Sequence, residues 1–142
     1  MRIAYLIFAL LDARTYGADN LRVNEIKIIA NRDVDASEIS RDDLSRIFLI
    51  TKTSLPGVSH VEPVLENAGA LFALFSKEYI GRTNSALLTY YRALMFSGKA
   101  SIPRSFGSDS EVAEYVAKTK GAIGFVGVAA NTPGVKVLKV TP

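Results

Sequence analysis

The chain has 142 residues, 49% of them hydrophobic and 22% charged, with a formal net charge of +3. That length suits one domain with its own core, and the small, unclustered positive excess argues against nucleic-acid binding, which needs a concentrated basic stripe. Cysteine is absent, which excludes a Cys nucleophile, a thiolate metal site and any disulfide.

In chain order, Met1-Arg2 is followed by an apolar run from Ile3 to Leu11, ended by Asp12 and Arg14, with the small residues Thr15, Gly17 and Ala18 beyond. This is the arrangement of a secretory signal peptide, and the run is too short to span a bilayer, which takes about 20 residues. Residues 1–18 are therefore expected to be a signal that directs the chain to the periplasm, leaving residues 19–142 as a single domain with no membrane span. The same run also fits a buried first strand.

Ile26 to Ala30 is rich in β-branched residues and reads as a strand. Ser40 then begins a helix, with Asp43 placed as a short version of the capping-box acid and Leu44, Ile47 and Phe48 on one face. Pro56-Gly57 marks a turn. His60 to Leu65 reads as a second strand, and Pro63, which lacks an amide proton, places it at an edge or keeps it short. Asn67 is positioned to cap a helix with Leu71, Leu74, Phe75 and Ile80 inward and Gly81 closing it. A further helix is expected from Asn84 to Phe96, with Leu87, Leu88, Tyr91, Leu94 and Met95 inward. Lys99 to Gly107 reads as a loop. Ser108-Asp109-Ser110-Glu111 is a full capping box ahead of Val112, Tyr115 and Val116. Ala122 to Val126 reads as a third strand. Val135 to Val140 reads as an alternating last strand with its lysines on one face. Strands separated by helices imply an α/β fold, a mixed sheet flanked by helices.

Catalytic patterns are scarce. The lone His60 has no second histidine or cysteine with which to ligate zinc, and no phosphate-binding glycine loop or nucleophile elbow is present. Asp42-Asp43 and Asp109/Glu111 fall in helix first turns, where negative charge complements the backbone dipole. No enzyme activity, cofactor or metal is expected. One chemistry fits the pattern, an anion held by free amides at a helix start. The candidate is Glu66-Asn67-Ala68-Gly69-Ala70, at a strand-to-helix junction where Gly69 would let an oxyanion approach the backbone; an ordinary capped helix start satisfies the same residues. A second candidate is the polar loop containing Lys99, Ser101, Arg104, Ser105 and Ser108.

Taken together, Ile28-Ile29-Ala30-Asn31, Leu44 to Leu49, Pro56-Gly57, Val61-Glu62-Pro63-Val64 and Gly121-Ala122-Ile123-Gly124-Phe125-Val126 resemble the phosphate-binding substrate-binding proteins of ABC transporters. Phe96-Ser97-Gly98-Lys99 with Pro103 is closest to a short, single-lobe branch. The resemblance implies one lobe of a type II periplasmic binding protein, with phosphate or another small oxyanion bound at Asn67, Ala68, Gly69 and Ala70, together with Arg104. An ABC permease, another partner protein or a second copy would be its partner. The departures bear on ligand binding. The family's S-G-T-like loop is here Asn67-Ala68-Gly69-Ala70, without either hydroxyl. Its arginine falls at Leu65 or Glu66, the glycine expected after Leu49 is Ile50, and the N-terminal hydroxyl-bearing glycine loop is absent. Each lost charge-assisted hydrogen bond weakens binding by about 1.5–3 kcal/mol. The alternative is therefore a non-catalytic interaction or scaffold module that kept the lobe and lost the ligand.

Overall fold

A computed structural model describes residues 25–67 and 69–142; the expected signal segment lies outside them. Among the described residues, β1 (Ile26–Ala30), β2 (Glu38–Ser40), β3 (Glu62–Glu66), β4 (Arg104–Phe106), β5 (Ala122–Gly127) and β6 (Lys136–Thr141) form one mixed sheet in the order β2-β6-β1-β5-β3-β4. Strands β3, β4 and β5 run parallel to one another, and β1 runs antiparallel to both β5 and β6. The helices are α1 (Arg41–Phe48), α2 (Gly69–Phe75), α3 (Asn84–Phe96) and α4 (Asp109–Lys118).

Alternation along the strands sends successive side chains to opposite faces, and both faces are covered. Ile28, Leu65, Ile123 and Phe125 meet Leu44, Phe48, Phe72, Phe75, Leu87 and Tyr91 from the first three helices. On the other face Ile29, Val64 and Val126 meet Val112, Ala113 and Val116 of α4. This explains why β1 reads as a nearly continuous apolar run. In the first core Phe75 and Phe125 stack with centroids 4.0 Å apart, Phe48 meets Phe75 edge-on at 4.8 Å, and the buried Tyr91 hydroxyl donates to the Phe48 carbonyl at 2.6 Å. In the second core the helix approaches the sheet closely at one glycine. A Cβ on Gly124 would lie 2.9 Å from Val64 and 3.0 Å from Val112, so the absence of a side chain there lets α4 settle onto the sheet.

The helix starts form as their sequences dictate. Ser40 Oγ accepts from the Asp43 amide at 3.1 Å, while the Asp43 carboxylate faces Arg46 at 3.7 Å instead of reaching back to the cap. Ser108 Oγ accepts from the Glu111 amide at 3.2 Å and donates to Glu111 Oε1 at 3.1 Å. Ser108→Ala is expected to lower stability by about 1 kcal/mol, read as a lower urea midpoint at unchanged m-value; an unshifted midpoint would show that the cap contributes nothing.

Several expectations are corrected. Strand β3 is not at an edge, because β5 and β4 flank it. Amides alternate sides along a strand, and that of Glu62 donates to the Gly121 carbonyl on the β5 side at 2.9 Å. Pro63 therefore faces the β4 side, where pairing begins only at Val64, and no ladder bond is lost. The Lys99 to Gly107 loop contains the edge strand β4. The short strand β2 has a single buried residue, Ile39, and so carries no pattern of its own. In α2 the fully inward residues are Phe72 and Phe75, with Leu71 and Leu74 half-buried, and the helix continues as a π-helical turn over Ser76–Ile80 before Gly81. Met95 is 42% exposed, not inward. Lys136 and Lys139 are an odd number of residues apart and lie on opposite faces of β6; Lys136 Nζ donates to the Val34 carbonyl at 2.5 Å.

One residue is held in an unfavourable conformation. Ile50, just past the α1 C-cap, has φ of 62°, which costs a β-branched residue on the order of 1–2 kcal/mol relative to glycine.

Candidate functional site

Because β3, β4 and β5 are parallel, their C-terminal ends share one edge of the sheet, the edge where open α/β folds bind ligands. β3 ends at Glu66 and leads through Asn67 to α2; β4 ends at Phe106 and leads through Gly107 to α4. The Asn67 amide donates to the Phe106 carbonyl at 3.0 Å and ties the two exits together. A cleft of about 530 Å³ opens here, lined by Glu66, Gly107, Ser108, Asp109, Ser110 and Asn131 among others.

Asn67, Gly69 and Ala70 are exposed, and Ala68 lies outside the described residues. Gly69 has φ of 65° and nothing within 4 Å of a Cβ position. The helix start is thus open to a ligand and not covered by neighbouring side chains.

The chemistry beside it is acidic. Glu66 shares the α4-facing side of β3 with Val64 and is only 6% exposed. Its Oε2 has no hydrogen-bond partner among the described residues. Burial, followed by the adjoining Asp109 carboxylate, pushes the Glu66 carboxyl up to about 8. Asp109 is anchored in turn by the Gly127 amide, which donates to Oδ1 at 3.2 Å. Its role thus extends beyond complementing the α4 dipole. At neutral pH the Glu66 carboxyl therefore favours its protonated form, with Oε2 out of reach of solvent and the Asp109 carboxyl beside it. Reading by motif missed this pair, because Glu66 and Asp109 are far apart in sequence; the available signal was a carboxylate directly after the apolar run Pro63-Val64-Leu65.

Arg104 is not brought to this edge. It stands opposite Val64 at the start of β4, three residues, or roughly 10 Å of strand, short of Asn67. Its Nε lies 3.6 Å from Glu62 Oε2 and its guanidinium 5.7 Å from the Tyr115 ring centroid. The Tyr115 hydroxyl donates to the same Glu62 oxygen at 2.5 Å. Arg104, Lys99, Ser101 and His60 instead line a second cleft at the other end of β3, again of about 530 Å³. Ser108 belongs to the first cleft, so the polar loop is divided between the two. Among the described residues no cluster of three or more His, Cys, Asp or Glu side chains could hold a metal ion, and no helix is long and apolar enough to cross a membrane.

No protein-family model matches the chain, and no curated protein matches it in sequence. Solved structures do match its fold. An ABC-type phosphate transport receptor from Vibrio cholerae aligns with a TM-score of 0.55 at 15% identity, over 82% of this chain and 46% of the receptor. PstS from Borrelia burgdorferi aligns at 0.60 and 17% identity, over 82% and 47%. A Clostridium perfringens structure with bound phosphate aligns at 0.59 and 12% identity, over 82% and 44%. The chain spans less than half the length of each, consistent with a single lobe. The α/β fold expected from sequence, a mixed sheet flanked by helices like one lobe of these receptors, is the fold observed.

Proposed function

We propose, from the fold shared with one lobe of phosphate-transport receptors, that this chain is a non-enzymatic periplasmic receptor domain for a small oxyanion. The ligand sits at the start of α2, on Asn67, Ala68, Gly69 and Ala70. Phosphate is the reference ligand, and an ABC permease is the partner that this class of receptor implies. The observation that carries the reading is the uncovered helix start at the shared C-terminal edge of β3, β4 and β5, beside a buried Glu66 acid with an unpartnered oxygen. Free first-turn amides attract negative charge. A protonated Glu66 adds no charge beside the helix start, whereas an ionised Glu66 would repel the ligand. Binding should therefore be favoured below pH 8 and weaken as Glu66 loses its proton.

Thermal shift with phosphate, sulfate and chloride tests this at pH 6.5 and pH 9. The expected result is saturable stabilisation by phosphate at pH 6.5 that chloride does not reproduce, and a response at least about threefold weaker at pH 9. Glu66→Gln, which is uncharged at every pH, should retain the response at pH 9. No phosphate-specific stabilisation at millimolar concentration at pH 6.5 would end the proposal.

A second reading, a scaffold that docks on a partner or on a second copy of itself, draws on Phe96 at the end of α3, which is 83% exposed next to Met95. Sedimentation velocity separates the two. Concentration-dependent self-association that Phe96→Ser abolishes would favour the scaffold; a monomer that binds phosphate would exclude self-docking.

A further inference from the structure

The cleft at the opposite end of β3 has no part in oxyanion capture at α2, and its lining joins apolar to basic side chains where that of the first is small, polar and acidic. Its volume of about 530 Å³ lies within the range of small-molecule sites. Ile47 near the end of α1, Ile50 just past its C-cap and Ile102 from the segment before β4 supply apolar wall, while Lys52, Lys99 and Arg104 supply positive charge. The one carboxylate in the lining, Glu62, is already engaged by Arg104 and by the Tyr115 hydroxyl. Lys52 and Lys99 enter no ion pair among the described residues. Three cations against one neutralised acid leave an excess of two positive charges around an apolar interior.

Ile50 gives independent support. Its left-handed backbone is where a glycine would be free of strain, yet a branched side chain stands there and lines the cleft. Strain held in place by the surrounding structure is a mark of functional positions. In this case it preserves one wall of the cavity.

We propose that this cleft binds a small organic anion with an apolar body, its acidic group held by Lys52 and Lys99 and its body against Ile47, Ile50 and Ile102. Inorganic phosphate, which has no apolar body, is not its ligand. The site is separate from the start of α2, so either can fail without the other.

Isothermal titration with octanoate is the test, with acetate, 1-octanol and inorganic phosphate as comparisons. Octanoate should bind saturably at one site, at least about tenfold more tightly than acetate or 1-octanol. Lys52→Ala combined with Lys99→Ala removes partly or fully exposed charges and should leave the fold intact while weakening octanoate about tenfold. Ile50→Gly should weaken octanoate without unfolding the chain, because it removes the wall while relief of the backbone offsets part of the core packing it gives up. Neither variant should alter the phosphate response assigned to α2. Octanoate binding that is absent at millimolar concentration, matched by 1-octanol, or indifferent to the double lysine variant would overturn the proposal.

Discussion

Gly121→Ala is expected to lower folding stability by about 3 kcal/mol or more, a large fraction of the roughly 5–15 kcal/mol that holds a typical domain together. Gly121 has φ of 76°, and a Cβ there would collide with the His60 carbonyl oxygen and come within 2.9 Å of Val58. The left-handed conformation alone costs alanine about 1–2 kcal/mol; the collision adds to it because its partner is backbone and cannot swing aside. Displacing Gly121 would also disturb two hydrogen bonds that join separate parts of the chain and one that closes the local turn. Its amide donates to Asp33 Oδ1 at 3.1 Å, its carbonyl accepts from the Glu62 amide at 2.9 Å, and Ala122 beside it donates to the Thr119 carbonyl at 3.2 Å. Urea unfolding measures the effect as a shift in midpoint. A loss below about 1 kcal/mol would mean that the α4–β5 turn relaxes freely and is not fixed against the entry to β3.

Glu66 governs the second large effect, which depends on pH. Its carboxyl titrates near 8 in the folded chain against an ordinary glutamate value of about 4.3 unfolded. The native state therefore holds a proton that the unfolded chain releases. The resulting stabilisation is complete below the unfolded pKa and disappears as pH rises through 8. At about 1.4 kcal/mol per unit between 4.3 and 8, its full size is at most on the order of 5 kcal/mol. Stability should accordingly fall between pH 5 and pH 9 in the native sequence, and Glu66→Gln should flatten that part of the profile. The comparison of the two profiles is the measurement, since every other titrating group is common to both. Parallel profiles would show that Glu66 is ionised and solvated, and would remove the change of charge on which the pH dependence of anion capture rests.

Much of the fold is legible in the residues because its determinants are local. The Ser40 and Ser108 caps, the β-branched run of β1 and the alternating β6 each act within a few residues, so their signals survive in a bare sequence. Strands β2 and β4 do not, since each is three residues long and exists only because a longer neighbour offers a ladder. Pro63 misleads for a related reason. A proline is excluded from a strand interior only if a partner needs its amide, and whether one does depends on where β4 begins.

For the candidate site the division is sharper. Asn67, Gly69 and Ala70 could be placed at a strand-to-helix junction from sequence alone, because chain order puts a helix after β3. Arg104 could not be placed, because its direction is set by Glu62 and Tyr115 on other elements. The sequence by itself determined the class of fold, the positions of the main helices and the lack of any familiar catalytic pattern, all consequences of residue type and short-range spacing. Only the tertiary structure decided that Glu66 would be buried against Asp109 and that the basic side chains would gather at the far end of β3. Proton affinity and field at a site depend on the distances between groups remote in the chain, and folding alone sets those distances.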